Sequence, residues 1–329
     1  MVREEREPTP TGATGAAGAT GVAGPEVAGP GVAGPGVAGP EVAGRPVGRV
    51  GLGCWRMTGA DDATHGAWVG AAVDAGITLV DTADVYGLDW GGTGFGACEE
   101  TLGRVLAAAP GLRDRIVLAT KGGIVPGVPY DSSVAAITRA CEASLRRLGV
   151  DHVDLYQIHR PDPFAHPEEV AGALVALRER GLVRAVGVSN HTVAQTRALV
   201  AHLPFALATT QPEYSLAHLD PLRDGTLDLC AETGVVPLAW SPLGGGRLVS
   251  GEGIRPGLGA AMDTVAERHG LDRAGVAVAF VCAHPTRPVA LVGTRDADRL
   301  RALVDAAAVS LDRSTVYDLI EAAEGVPLP

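Results

Sequence analysis

Eight short apolar runs, each followed by a segment of helical spacing, narrow the fold of this chain more than any other feature. They occupy residues 50–53, 77–80, 116–120, 153–158, 183–188, 205–209, 235–240 and 289–292. The runs are continuously apolar rather than alternating, which is what strands covered on both faces require. Between them the apolar positions move to a helical period. In 133–148, Val134, Ile137, Cys141, Leu145 and Leu148 share one face; in 168–180, Val170, Leu174 and Leu177 do, with Pro167 near the first turn and Gly181 past the end. Strands alternating with helices imply right-handed crossovers and a parallel sheet. Eight such units in roughly 280 residues is the size of a closed (β/α)8 TIM barrel. The competitor is a doubly wound open sheet, but no Gly-x-Gly-x-x-Gly opens a helix after an early strand. A last amphipathic segment, 312–323, with Val316, Leu319, Ile320 and Ala323 on one face, predicts an added C-terminal helix outside the barrel.

Residues 1–46 have a different character. Val-Ala-Gly-Pro recurs at Val22, Val27, Val32 and Val37, and Val42-Ala-Gly-Arg45 closes the series. Glycine and proline every few positions deny this stretch both helix and ladder, and its small side chains offset little ordering entropy. The expectation is a disordered repeat tail over 1–46 and one barrel domain over 47–329. The formal charge of −11 argues against nucleic acid or an anionic membrane as partner. Five scattered cysteines, no apolar leader and no apolar run of membrane-spanning length point to a reducing, cytoplasmic setting. The sequence leaves the oligomeric state open.

The polar residues that end the runs carry the chemistry. Asp81, Lys121, His159, Ser189 with Asn190, Gln211, Ser241, and Gly293-Thr294-Arg295 each follow one of the runs. In a barrel these positions ring the C-terminal mouth, where such folds build their sites. The chain has 26 arginines but a single lysine, Lys121, and a single asparagine, Asn190. A lone lysine at the mouth needs a role that a planar guanidinium cannot fill, namely a compact charge in a tight site. Tyr86, five residues beyond Asp81, returns on a short loop to the same rim. Asp81 would then hold Lys121 charged, Lys121 would lower the pKa of the Tyr86 phenol, and Tyr86 would donate a proton to a carbonyl oxygen oriented by neutral His159.

Five stretches carry a family resemblance: 76–87 (Gly-Ile-Thr-Leu-Val-Asp-Thr-Ala-Asp-Val-Tyr-Gly), 118–121 (Leu-Ala-Thr-Lys), 151–159 (Asp-His-Val-Asp-Leu-Tyr-Gln-Ile-His), 186–190 (Val-Gly-Val-Ser-Asn) and 239–244 (Ala-Trp-Ser-Pro-Leu-Gly). In that order and spacing the chain resembles an aldo-keto reductase over nearly all of 47–323. The resemblance implies a catalytic tetrad of Asp81, Tyr86, Lys121 and His159, and a nicotinamide cofactor lying across the mouth without a Rossmann domain. Ser189, Asn190 and Gln211 match the residues holding the nicotinamide carboxamide, and Trp240 matches the aromatic that stacks on its ring. Ser241, Leu243 and the glycines Gly244, Gly245 and Gly246 suit close approach to a pyrophosphate. Gly293, Thr294, Arg295 and Arg299 fall where the family binds the adenosine 2′-phosphate, which favours NADPH with NADH also possible. Ala302-Leu303 stands where the family commonly places a Glu-Asn pair against adenine. The implied substrate is a small carbonyl compound, an aldehyde or ketone, with Trp55 and Trp90 as walls of its pocket.

Arg160 and Asp162, beside His159, read as a local ion pair. Two other functions are compatible with the same residues. One is a Schiff-base lyase of aldolase type acting through Lys121; the other is an NADP-binding redox sensor that regulates a partner.

Overall fold

The computed structural model describes residues 39–89 and 91–328. A hairpin, β1 (Glu41–Val42) and β2 (Arg45–Pro46), precedes eight parallel strands: β3 (Val50–Gly53), β4 (Leu79–Asp81), β5 (Val117–Gly122), β6 (Val153–Ile158), β7 (Val183–Ser189), β8 (Thr209–Gln211), β9 (Val236–Ala239) and β10 (Val289–Val292). They close in chain order, β10 pairing with β3 through Ala290↔Val50, Leu291↔Gly51 and Val292↔Leu52. The expected (β/α)8 barrel is thus formed, with every run at or next to a strand. Only the sixth shifts appreciably. Residues 205–208 precede β8, and Phe205 lies half-buried under the Arg178 guanidinium, 4.2 Å from the ring centre.

Two apolar layers hold the barrel. Leu79, Val117, Ala119, Leu155, Val236, Leu238, Val289 and Leu291 fill its interior, while Val80, Leu118, Ile158, Val186 and Val188 face outward into the core shared with the helices. Several helices begin where a side chain satisfies a free N–H group. Ser133 accepts from Ala136 N ahead of helix Val134–Leu148, and Asp312 accepts from Thr315 N ahead of helix Arg313–Glu324. Pro167 opens helix Pro167–Glu179, where its missing N–H costs nothing. The C-terminal helix packs against helix Pro256–His269 outside the barrel, as its apolar face predicts.

Residues 41–46, expected in the tail, form the β1–β2 hairpin. Ala43 and Gly44, from the last Val-Ala-Gly of the repeat, make the turn of the hairpin. Ala43 and Gly44 both take positive φ (54° and 75°). Val42 and Val47 are buried among the barrel's interior residues. Arg45 donates to the Asp114 and Ile116 carbonyls, and Arg287 donates to the Gly39 carbonyl. Composition misled here because one arginine and one well-placed valine fix a segment whose neighbours in the repeat carry neither feature together. The rest of the expected tail, 1–38, lies outside the described residues. Among the described residues no helix is long and apolar enough to cross a membrane.

Candidate active site

Alternation along the strands decides what reaches the interior near the mouth. Leu79 and Asp81, Ala119 and Lys121, and Leu155 and Gln157 each point inward two residues apart, and the register pairs Asp81 with Ala119 and Lys121 with Gln157. Lys121 is fully buried. Its Nζ donates to Asp81 Oδ2 at 2.6 Å and to the Thr82 carbonyl at 2.9 Å. Asp81 Oδ1 accepts from Gln211 Nε2 at 3.1 Å and Gln157 Nε2 at 3.2 Å. The carboxylate therefore holds one cation and two amide donors in a site with little water. Burial works against the Lys121 charge, but the Asp81 carboxylate and Tyr86 together raise its pKa above the ordinary lysine value. Lys121 is an ammonium at neutral pH.

Tyr86 stands over that ammonium, with the ring centre 4.9 Å from Nζ. His159 meets Tyr86 edge-on, centroids 5.7 Å apart and planes at 81°. The four residues expected to act together are brought together. The direction of the phenol's shift differs from expectation. Burial raises its pKa above 10, and the pull of Lys121 does not overcome that together with Asp81. The lysine keeps the phenol from drifting further upward and does not make it a phenolate. His159 is held well below the usual histidine range by burial, then by the charges of Lys121 and Arg160, so it is neutral.

One cleft of about 1040 Å³ runs across the mouth above these groups. Its lining includes Trp55, Ser189, Asn190, Gln211, Trp240, Ser241, Leu243, Gly245, Gly293, Thr294, Arg295 and Arg299 together with Asp81, Tyr86 and His159. The strand ends are pinned to each other. Ser189 Oγ donates to the Gln211 carbonyl (2.9 Å), Asn190 Nδ2 donates to Ser189 Oγ (2.8 Å), and Trp240 Nε1 donates to Asn190 Oδ1 (2.9 Å). Asn190 and Ser241 both hold left-handed backbone, φ 57° and 50°, a conformation that costs free energy and clusters at functional positions. Gly244, Gly245 and Gly246 also have positive φ, but Gly244 is buried beneath the cleft and the N–H groups of Gly244 and Gly246 bond back to Ser241 and Leu243. What this run offers a ligand is room rather than a cradle of free donors.

At the far end of the cleft Arg295 and Arg299 are exposed. Arg295 donates to the Thr58 carbonyl at 3.1 Å, and Arg299 lies 4.0 Å from Asp296, which caps the helix Ala297–Ala306. At the near end Trp55 Nε1 donates to Asp89 Oδ1 at 3.2 Å, tying two loops of the rim. Trp90, the other expected wall, lies outside the described residues.

Two features were not read from the sequence. Gln157, fully buried, bonds both Asp81 and Thr209; its signal was present, since a polar residue two positions before His159 on an apolar strand shares the interior face. Arg160 does not pair with Asp162. The Asp162 oxygens accept from Ser132 N and Phe164 N, and Arg160 instead lines the cleft with its guanidinium 6.0 Å from the Trp240 ring centre. Among the described residues no cluster of acidic, histidine or cysteine side chains could hold a metal.

Residues 49–324 match the Aldo/keto reductase family. A 6-dehydroglucose reductase of Novosphingobium aromaticivorans is 46% identical over 286 residues, covering 86% of this chain and 94% of that protein. A protein of the same name from Agrobacterium fabrum is 41% identical over 84% of this chain and 94% of its own. Among solved structures, an aldo/keto reductase from Klebsiella pneumoniae in complex with NADP and acetate superposes with a TM-score of 0.70 at 28% identity, over 87% of this chain and 93% of that one.

Proposed function

The chain belongs to the aldo/keto reductase family of carbonyl-reducing oxidoreductases, and we propose that it is an NADPH-dependent reductase of small polyhydroxylated aldehydes with Tyr86 as its general acid. The observation that carries this reading is the stack Asp81–Lys121–Tyr86, a buried ion pair of 2.6 Å with the phenol 4.9 Å above its cation and neutral His159 against the phenol's edge.

The residues present fit a nicotinamide dinucleotide. Ser189, Asn190, Gln211 and Trp240 surround one end of the cleft, the positive-φ glycines Gly245 and Gly246 leave space midway, and Gly293, Thr294, Arg295 and Arg299 end it with two guanidinium groups suited to a 2′-phosphate. The Klebsiella relative's complex with NADP supports the same choice. When bound, the reduced nicotinamide would supply a hydride to the carbonyl carbon. Everything else falls to the chain. His159, neutral and a hydrogen-bond donor, orients the carbonyl oxygen between itself and Tyr86. Tyr86 gives that oxygen its proton as negative charge develops there. Lys121 stabilises the phenolate left behind, and Asp81 keeps Lys121 charged and fixed. Because burial holds the phenol neutral, the acid is loaded with its proton across the physiological range.

The substrate class rests on two supports: the relatives at 46% and 41% identity are named 6-dehydroglucose reductases, and the near end of the cleft is lined by Arg160, Asp89 and Trp55, a cation, a carboxyl group and an aromatic wall suited to a hydroxyl-bearing chain. A Schiff-base lyase needs a neutral amine. Lys121, fully buried and bonded to Asp81 and Thr82, is held in the wrong form for it. The test is NADPH consumption with a panel of sugar-derived aldehydes, simple aldehydes, ketones and quinones, beside borohydride treatment. Oxidation of NADPH, fastest with hydroxylated aldehydes, is the expected result. Borohydride trapping of a carbonyl compound on Lys121 with no NADPH oxidation would overturn it.

A further inference from the structure

One layer of the barrel interior carries a polar arm that the proposed reaction leaves unused. The register aligns Lys121 of β5 with Gln157 of β6, Gln157 with Gly187 of β7, and Gly187 with Thr209 of β8. Gln157 and Thr209 are both fully buried. Across Gly187, Thr209 Oγ1 donates to Gln157 Oε1 at 3.2 Å. A β-carbon built on Gly187 would lie 2.1 Å from Thr209 Oγ1 and 3.0 Å from Gln157 Cγ, so glycine leaves that bond its space. At the other end of the amide, Gln157 Nε2 donates to Asp81 Oδ1 at 3.2 Å.

The charge at one end sets the direction of every bond in this arm. The Asp81 carboxylate, paired with Lys121, can only accept, so an amide beside it presents its nitrogen. Gln157 and Gln211 both do so at Oδ1. The Gln157 oxygen is thereby turned to Thr209, whose hydroxyl donates to it, with a longer contact of 3.4 Å from Gln211 Nε2. A carboxyl group turns easily about its last bond, which has no sharp rotamer wells. With Oδ1 held by two amides, Oδ2 stays on Lys121 Nζ at 2.6 Å, and Nζ stays 4.9 Å beneath the Tyr86 ring centre. Gln211 lines the cleft and faces whatever binds there, whereas Gln157 is fully buried and keeps its hold whatever the cleft contains.

We propose that Gln157 is a positioning residue, itself set by Thr209, that holds Asp81 in the orientation keeping Lys121 beneath the Tyr86 phenol. The proposal rests on the reading of Tyr86 as the acid. Gln157 contacts no reacting atom. It acts through Asp81 on the place of the ammonium, where a displacement of about 1 Å costs on the order of 100-fold in rate. Lys121, Tyr86, His159 and Cys54 are the titratable groups gathered around Asp81. Burial keeps the Cys54 thiol and the Tyr86 phenol protonated and His159 neutral. Neither they nor the Lys121 ammonium change form between about pH 6 and pH 9.

The test compares Gln157→Leu and Gln157→Glu with the parent in the full chain, with Tyr86→Phe in parallel. It measures kcat and KM for glyceraldehyde reduction across that pH range, and the Kd for NADPH by tryptophan quenching. Gln157→Leu keeps most of the volume and removes the donor. Its kcat should fall about 10- to 100-fold at every pH, with NADPH Kd within about threefold of the parent. Gln157→Glu keeps the shape and makes the donor titratable. Protonated, the new carboxyl still donates to Asp81; ionised, it repels Asp81, and burial beside that charge raises its pKa into the assayed range. Its kcat should approach the parent's near pH 6 and fall at least about 10-fold by pH 9, a limb the parent lacks. Parental kcat in Gln157→Leu, or a Gln157→Glu profile parallel to the parent's at any level of activity, would overturn the proposal. If one of the two variants does not fold, the other decides alone. Inactive Tyr86→Phe beside parent-like Gln157 variants would sink the positioning proposal only, whereas active Tyr86→Phe would sink the acid reading beneath it.

Discussion

Replacing Lys121 by methionine separates what the buried ion pair does for the fold from what it does for the reaction. Methionine keeps much of the length and removes the charge, leaving Asp81, 2% exposed, without its cation. Deleting one partner of a buried pair costs about 3–5 kcal/mol, mostly the penalty of the stranded charge. Asp81 retains the Gln211 and Gln157 amides at 3.1 and 3.2 Å, and charged hydrogen bonds of that kind are worth about 1.5–3 kcal/mol each. The expected loss therefore sits at the lower end, about 3 kcal/mol. Adding Asp81→Asn removes the stranded charge and should return about 2 kcal/mol, while turnover stays lost in both variants. Urea unfolding followed by circular dichroism reads the stabilities, and NADPH oxidation reads the turnover. A Lys121→Met variant as stable as the parent, or a double variant that loses the sum of the two single losses, would refute the reasoning.

The other expectations can be stated together. Arg295→Ala with Arg299→Ala should weaken NADPH about 10- to 100-fold and NADH far less, measured by fluorescence titration; equal losses would place the 2′-phosphate elsewhere. Deleting residues 1–46 should lower stability by about 2 kcal/mol more than deleting 1–38, because the longer cut removes fully buried Val42 and the Arg45 bonds to 114 and 116; equal melting curves would show that the hairpin is dispensable. His159 has a folded pKa depressed below its unfolded value near 6.5. The stability it contributes is complete above that value and is lost as pH falls through the folded pKa, since the unfolded chain takes up the proton first. A His159→Gln variant should therefore lose less stability than the parent between about pH 7 and pH 5; parallel pH curves would contradict the assignment.

The barrel was legible because both-face burial makes strands continuously apolar, and eight repeats of one pattern leave few ways to close. Phe205 marks the limit of that signal, since an apolar residue entering a strand can be claimed by a neighbouring arginine rather than the sheet. Asp81, Lys121 and His159 were legible from their places at strand ends, and Lys121 doubly so as the only lysine among 27 basic side chains. Less was visible where a group's use depends on what else competes for it. Arg160 and Asp162 look like a pair two residues apart, yet backbone N–H groups take both Asp162 oxygens. The net direction of the Tyr86 shift is a balance between burial and two charges, and spacing along a chain carries none of those magnitudes. The β1–β2 hairpin was hidden by its composition, although Val42 and Arg45 distinguish it.

Single-turnover reduction by Tyr86→Phe, measured alongside its NADPH affinity, tests the proton-donor role most directly. Loss of the phenol hydroxyl should slow the chemical step about 10²- to 10⁴-fold while NADPH Kd stays within about threefold. Chemistry at the parent's rate with the same affinity would mean that the proton comes from some other group, and the stack of Asp81, Lys121 and Tyr86 would need a different purpose.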